Sequence, residues 1–149
     1  MKSKIYIFAV FILISLLALS SCSIGHVEDT NGEDTEPVTI TDGDITDGSS
    51  HVATLSSKGQ ANGTYYYNVQ KLSGVFSLNK HSASDGSLTV NMSATLLSGN
   101  ARIAIVKDGK IVADIPFGEN QTVTLEGSGL YEIKIAAESA QLSIEYTLE

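Results

Sequence analysis

Residues 87–97 read SLTVNMSATLL. Apolar side chains fall on every second position: Leu88, Val90, Met92, Ala94 and Leu96, with Thr89, Asn91, Ser93 and Thr95 between them. Strand side chains alternate between faces, so this spacing predicts an extended segment with one face in a core and one in water. The rhythm returns three times. Residues 121–126 set Val123 and Leu125 against Thr122, Thr124 and Glu126; residues 130–136 set Tyr131, Ile133 and Ile135 against Glu132 and Lys134. Residues 141–149 set Leu142, Ile144, Tyr146 and Leu148 against Ser143, Glu145 and Thr147. No helical period follows Leu19, which confines the chain beyond residue 50 to sheet.

Turn chemistry separates these runs. Asp108-Gly109 lies between ARIAIVK and KIVADIP, and a two-residue hairpin turn of this kind needs positive φ at both positions. Lys107 and Lys110 flank it and keep the tip soluble. Asp85-Gly86, Ser98-Gly99-Asn100 and Gly127-Ser128-Gly129 mark further junctions, residues 137–140 read as a hairpin loop, and Pro116 ends a strand or lies on an edge. About nine short strands result: 52–55, 64–70, 74–79, 87–97, 101–107, 110–116, 121–126, 130–136 and 141–148. The expected fold is an all-β antiparallel β-sandwich, of jelly-roll or immunoglobulin-like type, over residues 51–149.

The chain has one cysteine, which cannot close an internal disulfide. It follows a greasy run. Met1-Lys2-Ser3-Lys4 is basic, residues 5–19 carry no charge, and Ser20 and Ser21 precede Cys22. These are the parts of a secretory signal, and the apolar run is shorter than the roughly 20 residues of a spanning helix. Leu19-Ser20-Ser21-Cys22 resembles the bacterial lipobox. The resemblance implies a lipoprotein signal peptide over 1–21, diacylglycerol on the Cys22 thiol and cleavage before Cys22. It implies an extracytoplasmic protein held to a bacterial membrane by its lipid anchor. The exported part must then be stable without disulfides.

The formal charge of −8 is unevenly spread. Residues 23–50 hold eight of the acidic side chains and no Lys or Arg, whereas the remainder is nearly balanced. No basic stripe for nucleic acid exists. The acidic segment is poor in large apolar residues, so residues 22–50 read as a lipidated cysteine followed by a disordered tether. Extended, 28 residues reach at most about 95 Å. Within it, Asp42-Gly43-Asp44-Ile45-Thr46-Asp47-Gly48 looks calcium-like, but an EF-hand needs Glu at the twelfth loop position, and Ala53 stands there. A solvated spacer is the expectation, with no metal site.

The last third, SGNARIAIVKDGKIVADIPFGENQTVTLEGSGLYEIKIAAESAQLSIEYTLE, carries a DGK hairpin, a V-T-L strand, G-x-G-x-Y-x-I-x-I and a closing amphipathic strand. It resembles small exported bacterial sandwiches such as the prepeptidase carboxy-terminal domain. The resemblance implies cell-surface or accessory binding.

Catalytic signals are few. His81 sits beside Ser82, Ser84 and Asp85, but a triad is built by spatial convergence, and neighbours in one loop seldom converge. His26 lies in the tether and His51 at the domain's edge. No GxSxG, HExxH or phosphate loop occurs, and no cofactor is implied. The aromatic cluster Tyr65-Tyr66-Tyr67 offers a candidate ligand-binding platform: in a strand, Tyr65 and Tyr67 share one face and Tyr66 takes the other. Sequons at Asn62, Asn91 and Asn120 read as chance matches in a bacterial setting. The expectation is a non-enzymatic lipoprotein that binds an envelope protein or polymer, or else a carbohydrate-binding module using the tyrosines.

Overall fold

The nine expected segments join into six strands. The computed structural model describes residues 39–84 and 86–149. The elements are α1 (Asp42–Asp47), β1 (His51–Ala61), β2 (Thr64–Ala83), β3 (Ser87–Lys107), β4 (Lys110–Ile115), β5 (Gly118–Glu126) and β6 (Gly129–Leu148). Every strand pair is antiparallel, in the order β1-β2-β6-β3-β4, with β5 also on β3. The all-β class holds and the count of nine does not. Segments 64–70 and 74–79 are both β2, 87–97 and 101–107 are both β3, and 130–136 and 141–148 are both β6.

The three supposed breaks are bulges in strands that run on. Pairing slips between Val69 and Leu72 and between Leu72 and Gly74 on β2, and between Leu96 and Ser98 and between Ser98 and Asn100 on β3. Both slips face the same stretch of β6. Each strand carries a residue of positive φ there: Gly74 at 93°, Gly99 at 78° and Ser139 at 48°. On β1, Leu55 has φ 50° close to the same line. A bulge bends its strand, and bends side by side crease the sheet. Gly and Ser suit a bulge and a turn equally, which is why a bend reads as an end.

The crease doubles the sheet over. Tyr146 pairs with Tyr65 and Ile133 with Asn79. Along a flat strand, Tyr65 and Asn79 would stand roughly 46 Å apart. Yet Asn79 Nδ2 donates to the Tyr146 hydroxyl at 3.0 Å, and the Tyr67 and Phe76 rings stack at 4.7 Å. The core fills the fold, with Leu72, Leu78, Leu88, Val90, Met92, Ile103, Ile105, Tyr131, Ile133, Ile135, Leu142 and Ile144 buried together. Burial raises the pKa of the Tyr146 hydroxyl, and the Asn79 hydrogen bond partly offsets the rise.

Past the crease, part of the sheet is covered on both faces. Ile103, Ala104, Ile105 and Val106 are buried in succession. The second cover is α1, whose Ile45 is 0% exposed against Val75, Ala104, Val106 and Ala136. Burying that one side chain contributes about 1.5–3 kcal/mol. Thr41 and Asp44 form a reciprocal capping box at the N-terminus of α1. At its other end, Lys134 Nζ donates to the carbonyls of Ile45 (3.0 Å), Thr46 (3.2 Å) and Gly48 (3.2 Å). All three ammonium protons are thus matched to carbonyls that a helix end leaves without partners. Arg102 holds Asp114 through two bonds (2.7 and 3.0 Å) and reaches Asp42 at 2.6 Å. The Asp114 and Asp42 carboxylates raise its pKa still further.

Two expectations are corrected here. The spacer does not run to residue 50: residues 39–50 belong to the folded unit, and the acidic motif is a docked helix whose Asp42 and Asp44 already have partners. Lys134 does not face water; it is 8% exposed beneath α1. The signal 1–21, Cys22, His26 and the rest of the expected tether (residues 23–38) lie outside the described residues.

Candidate functional site

The half of the sheet that α1 leaves open presents a water-facing surface. Alternation places Thr64, Tyr66 and Asn68 of β2 there, with Ser143, Glu145 and Thr147 of β6. β3 adds Asn91, Ser93 and Thr95, and β5 adds Thr122. Register aligns these in rows across four strands. One row runs Thr64, Thr147, Asn91 and Thr122; the next runs Tyr66, Glu145 and Ser93; the third runs Asn68, Ser143 and Thr95.

Side chains in the first and third rows lock one another. The Thr122 hydroxyl donates to Asn91 Oδ1 at 2.8 Å, and Asn91 Nδ2 reaches Thr147 Oγ1 at 3.5 Å. The Ser143 hydroxyl donates to Asn68 Oδ1 at 2.6 Å. The Asn120 backbone N–H donates to Ser93 Oγ at 3.1 Å, drawing the start of β5 over the face. Two shallow grooves result. One of about 360 Å³ holds Asn91, Asn120, Thr122 and Thr147; one of about 280 Å³ holds Thr95, Glu119 and Ser143. Ser93, Asn120 and Glu145 line both, so the grooves adjoin.

The tyrosine cluster is divided by its own alternation. Tyr67 is buried and stacked on Phe76, and its hydroxyl has no hydrogen-bond partner among the described residues. Desolvation raises its pKa. Tyr65 is half-buried and stacks on Tyr146 at 5.0 Å. Tyr66 alone stands on the open face, 38% exposed. Its ring lies over Gly59 on β1, where any side chain would collide with it. Glycine at 59 therefore lets the ring rest against the sheet.

The other singled-out residues do not join this face. The His51 ring packs edge-on against Phe76 at 4.7 Å. His81 and Ser82 are successive residues of β2, so they point to opposite sides of an extended strand, and Asp85 lies outside the described residues. Among the described residues no three His, Cys, Asp or Glu side chains come together as a metal site, and no helix is long and apolar enough to cross a membrane. A larger groove of about 660 Å³ lies between α1 and the crease, lined by Thr41, Asp44, Asp47, Gly74 and Glu138 among others.

Glu145 carries no motif, and Ser93 and Asn120 fall only within chance sequons, so nothing in the sequence marks these three as a site. The available signal was the unbroken Thr, Asn, Ser, Thr set at alternate positions of β3, with no cation among them. No family model, curated protein or solved structure matches the chain.

Proposed function

We propose that this protein is a non-catalytic binding lipoprotein of the bacterial envelope, lipid-anchored through Cys22, whose creased sheet serves as a β-sandwich. Its ligand is a hydroxyl-rich envelope polymer, a glycan. The observation that carries this reading is the pair of adjoining grooves on the same open face as Tyr66, whose ring lies outside them, over Gly59. They are lined by fixed hydroxyl and amide groups, the donors and acceptors a sugar chain matches, and the flat ring supplies a stacking surface. Retention of the full chain on insoluble envelope polysaccharide tests it. Tyr66→Ala is expected to abolish retention without lowering the melting temperature. Retention equal to that of the unaltered protein removes the tyrosine from the site and the reading with it.

One feature favours a protein partner as a second reading. Among the described residues β1 pairs on one side only, and Val52 and Leu55 on it are 72% and 71% exposed. An open edge with apolar side chains takes an added strand. A stoichiometric envelope protein recovered by pull-down, and lost with Leu55→Lys, supports this reading; recovery unchanged by that substitution refutes it.

A further inference from the structure

Among the described residues β1, β4 and β5 each pair on one side only. The three open edges differ. β1 carries Lys58 and passes through positive φ at Leu55, and β4 carries Lys110 and Asp114 within six residues. Residues 121–125 of β5, QTVTL, hold no charge, no proline and no positive φ. Sheet edges are ordinarily blunted by such features, and an edge without them takes another strand.

The ladder dictates which groups β5 offers. Thr89 and Glu149 exchange both backbone bonds, at 2.7 and 2.9 Å, so the Thr89 N–H and C=O face β6. Those of Leu88 and Val90 then face β5, toward their partners Leu125 and Val123. The N–H and C=O of Thr122 and Thr124 accordingly point away from β3, to the open side. On either flank the backbone is already engaged: the Asn120 N–H donates to Ser93 Oγ at 3.1 Å, and the Glu126 carbonyl accepts from the Tyr131 hydroxyl at 3.1 Å. The centre of the edge thus presents two donors and two acceptors, placed symmetrically about Val123.

We infer that two copies of this chain join β5 to β5 in antiparallel register, with Thr122 of each opposite Thr124 of the other and a two-fold axis at Val123. This register matches all four free groups at once. It sets the two Val123 side chains against each other on the core side, where each is half-buried. Glu126 meets Asn120 of the second copy, so no two carboxylates oppose. The chain's own upstream segment fits the edge less well: Glu28, Asp29, Glu33, Asp34 and Glu36 would approach an edge with Glu119 and Glu126 at its ends.

A two-fold axis between antiparallel strands stands perpendicular to the sheet, so both open faces look the same way. Asn120 and Thr122 belong to β5 and line the groove of about 360 Å³. The seam therefore brings the grooves of both copies together on one face, where a single polymer can cross them. That consequence rests on the glycan reading above; the dimer does not.

Disulfide trapping tests the pairing. In this register the two Val123 Cα atoms lie about 4.5 Å apart, within reach of a disulfide. Membranes carrying the full chain with Val123→Cys, oxidised with copper phenanthroline, should yield a disulfide-linked dimer as the main product. Leu125→Cys, which the register places opposite Gln121, should lose it; both variants keep Cys22, so the comparison isolates the edge. No dimer from Val123→Cys, or equal yields from the two variants, overturns the inference. A link from Val123→Cys to Cys22 of the same chain, or to a different envelope protein, gives the edge another occupant and overturns it too. Thr124→Pro removes an outward N–H and leaves the β3 ladder whole. Added to Val123→Cys, it should abolish trapping, and trapping that persists refutes the register. Alone, it should weaken retention on insoluble polysaccharide by about a hundredfold and leave binding of a short oligosaccharide unchanged. Retention that survives while trapping is lost removes the shared face. Absence of retention in the unaltered chain brings down the glycan reading and leaves the dimer standing.

Discussion

Gly99 is the most exacting test of the creased sheet. A Cβ at this position would lie 2.5 Å from the Ser139 carbonyl oxygen and 2.7 Å from both Ala140 Cα and the Glu138 carbonyl oxygen. All three are backbone atoms of β6, so no side chain can rotate away. The φ of 78° adds about 1–2 kcal/mol for any residue with a Cβ. Gly109 supplies the control. Its φ is 71°, and nothing lies within 4 Å of its added Cβ. Gly109→Ala should therefore cost only the backbone part, about 1–2 kcal/mol. Gly99→Ala should cost that plus an overpacking penalty of about 1–3 kcal/mol. Denaturant unfolding of both variants, followed by far-ultraviolet circular dichroism, measures the difference. In a domain of this size it corresponds to roughly 4–20 °C in melting temperature. Equal losses, within about 0.5 kcal/mol, would mean that β3 and β6 do not approach so closely, and the argument for the crease would fail.

Three further outcomes are expected. Lys134→Met keeps the aliphatic stem and strips the ammonium from three carbonyls, costing about 1.5–3 kcal/mol and speeding amide exchange in α1 and at Gly48; unchanged exchange there would show that Lys134 does not pin the helix. Asp44 accepts hydrogen bonds from the Thr41 hydroxyl and backbone, which hold its pKa below the ordinary carboxylate value. Its contribution to α1 is thus complete above about pH 3.9 and lost as pH falls through the lower folded value; a carboxyl titration midpoint at or above the ordinary value contradicts the cap. Cys22→Ser should stop incorporation of labelled palmitate, and label entering that variant rules out lipidation at Cys22.

The strands were legible where one face meets water. Leu88 to Leu96 and Leu142 to Leu148 alternate cleanly, and both lie on the half of the sheet that α1 does not cover. The crease was not legible. Ser98-Gly99-Asn100 has the composition of a turn, and only pairing with a continuous β6 makes it a bulge. Lys134 was misread for a related reason. Alternation correctly places it on the face opposite Ile133 and Ile135, but says nothing about what covers that face. Its cover is a six-residue helix too short to show a period and written in residues typical of spacers. The binding face was half legible. Period two separates Tyr66 from Tyr65 and Tyr67, but bringing Glu145 beside Tyr66 requires knowing that β6 inserts between β2 and β3, strands it does not follow directly in sequence.

The clamp on α1 also decides how this domain meets a pull. Tension arriving from residues upstream of Thr39 reaches the Arg102–Asp42 ion pair before it reaches β1. It must then lift Ile45 from its seat and free three carbonyls from Lys134 before it touches His51. The load is peeled off one contact at a time across the outer surface, so α1 acts as a strain relief that yields while the hydrogen-bonded ladders behind it stay shut.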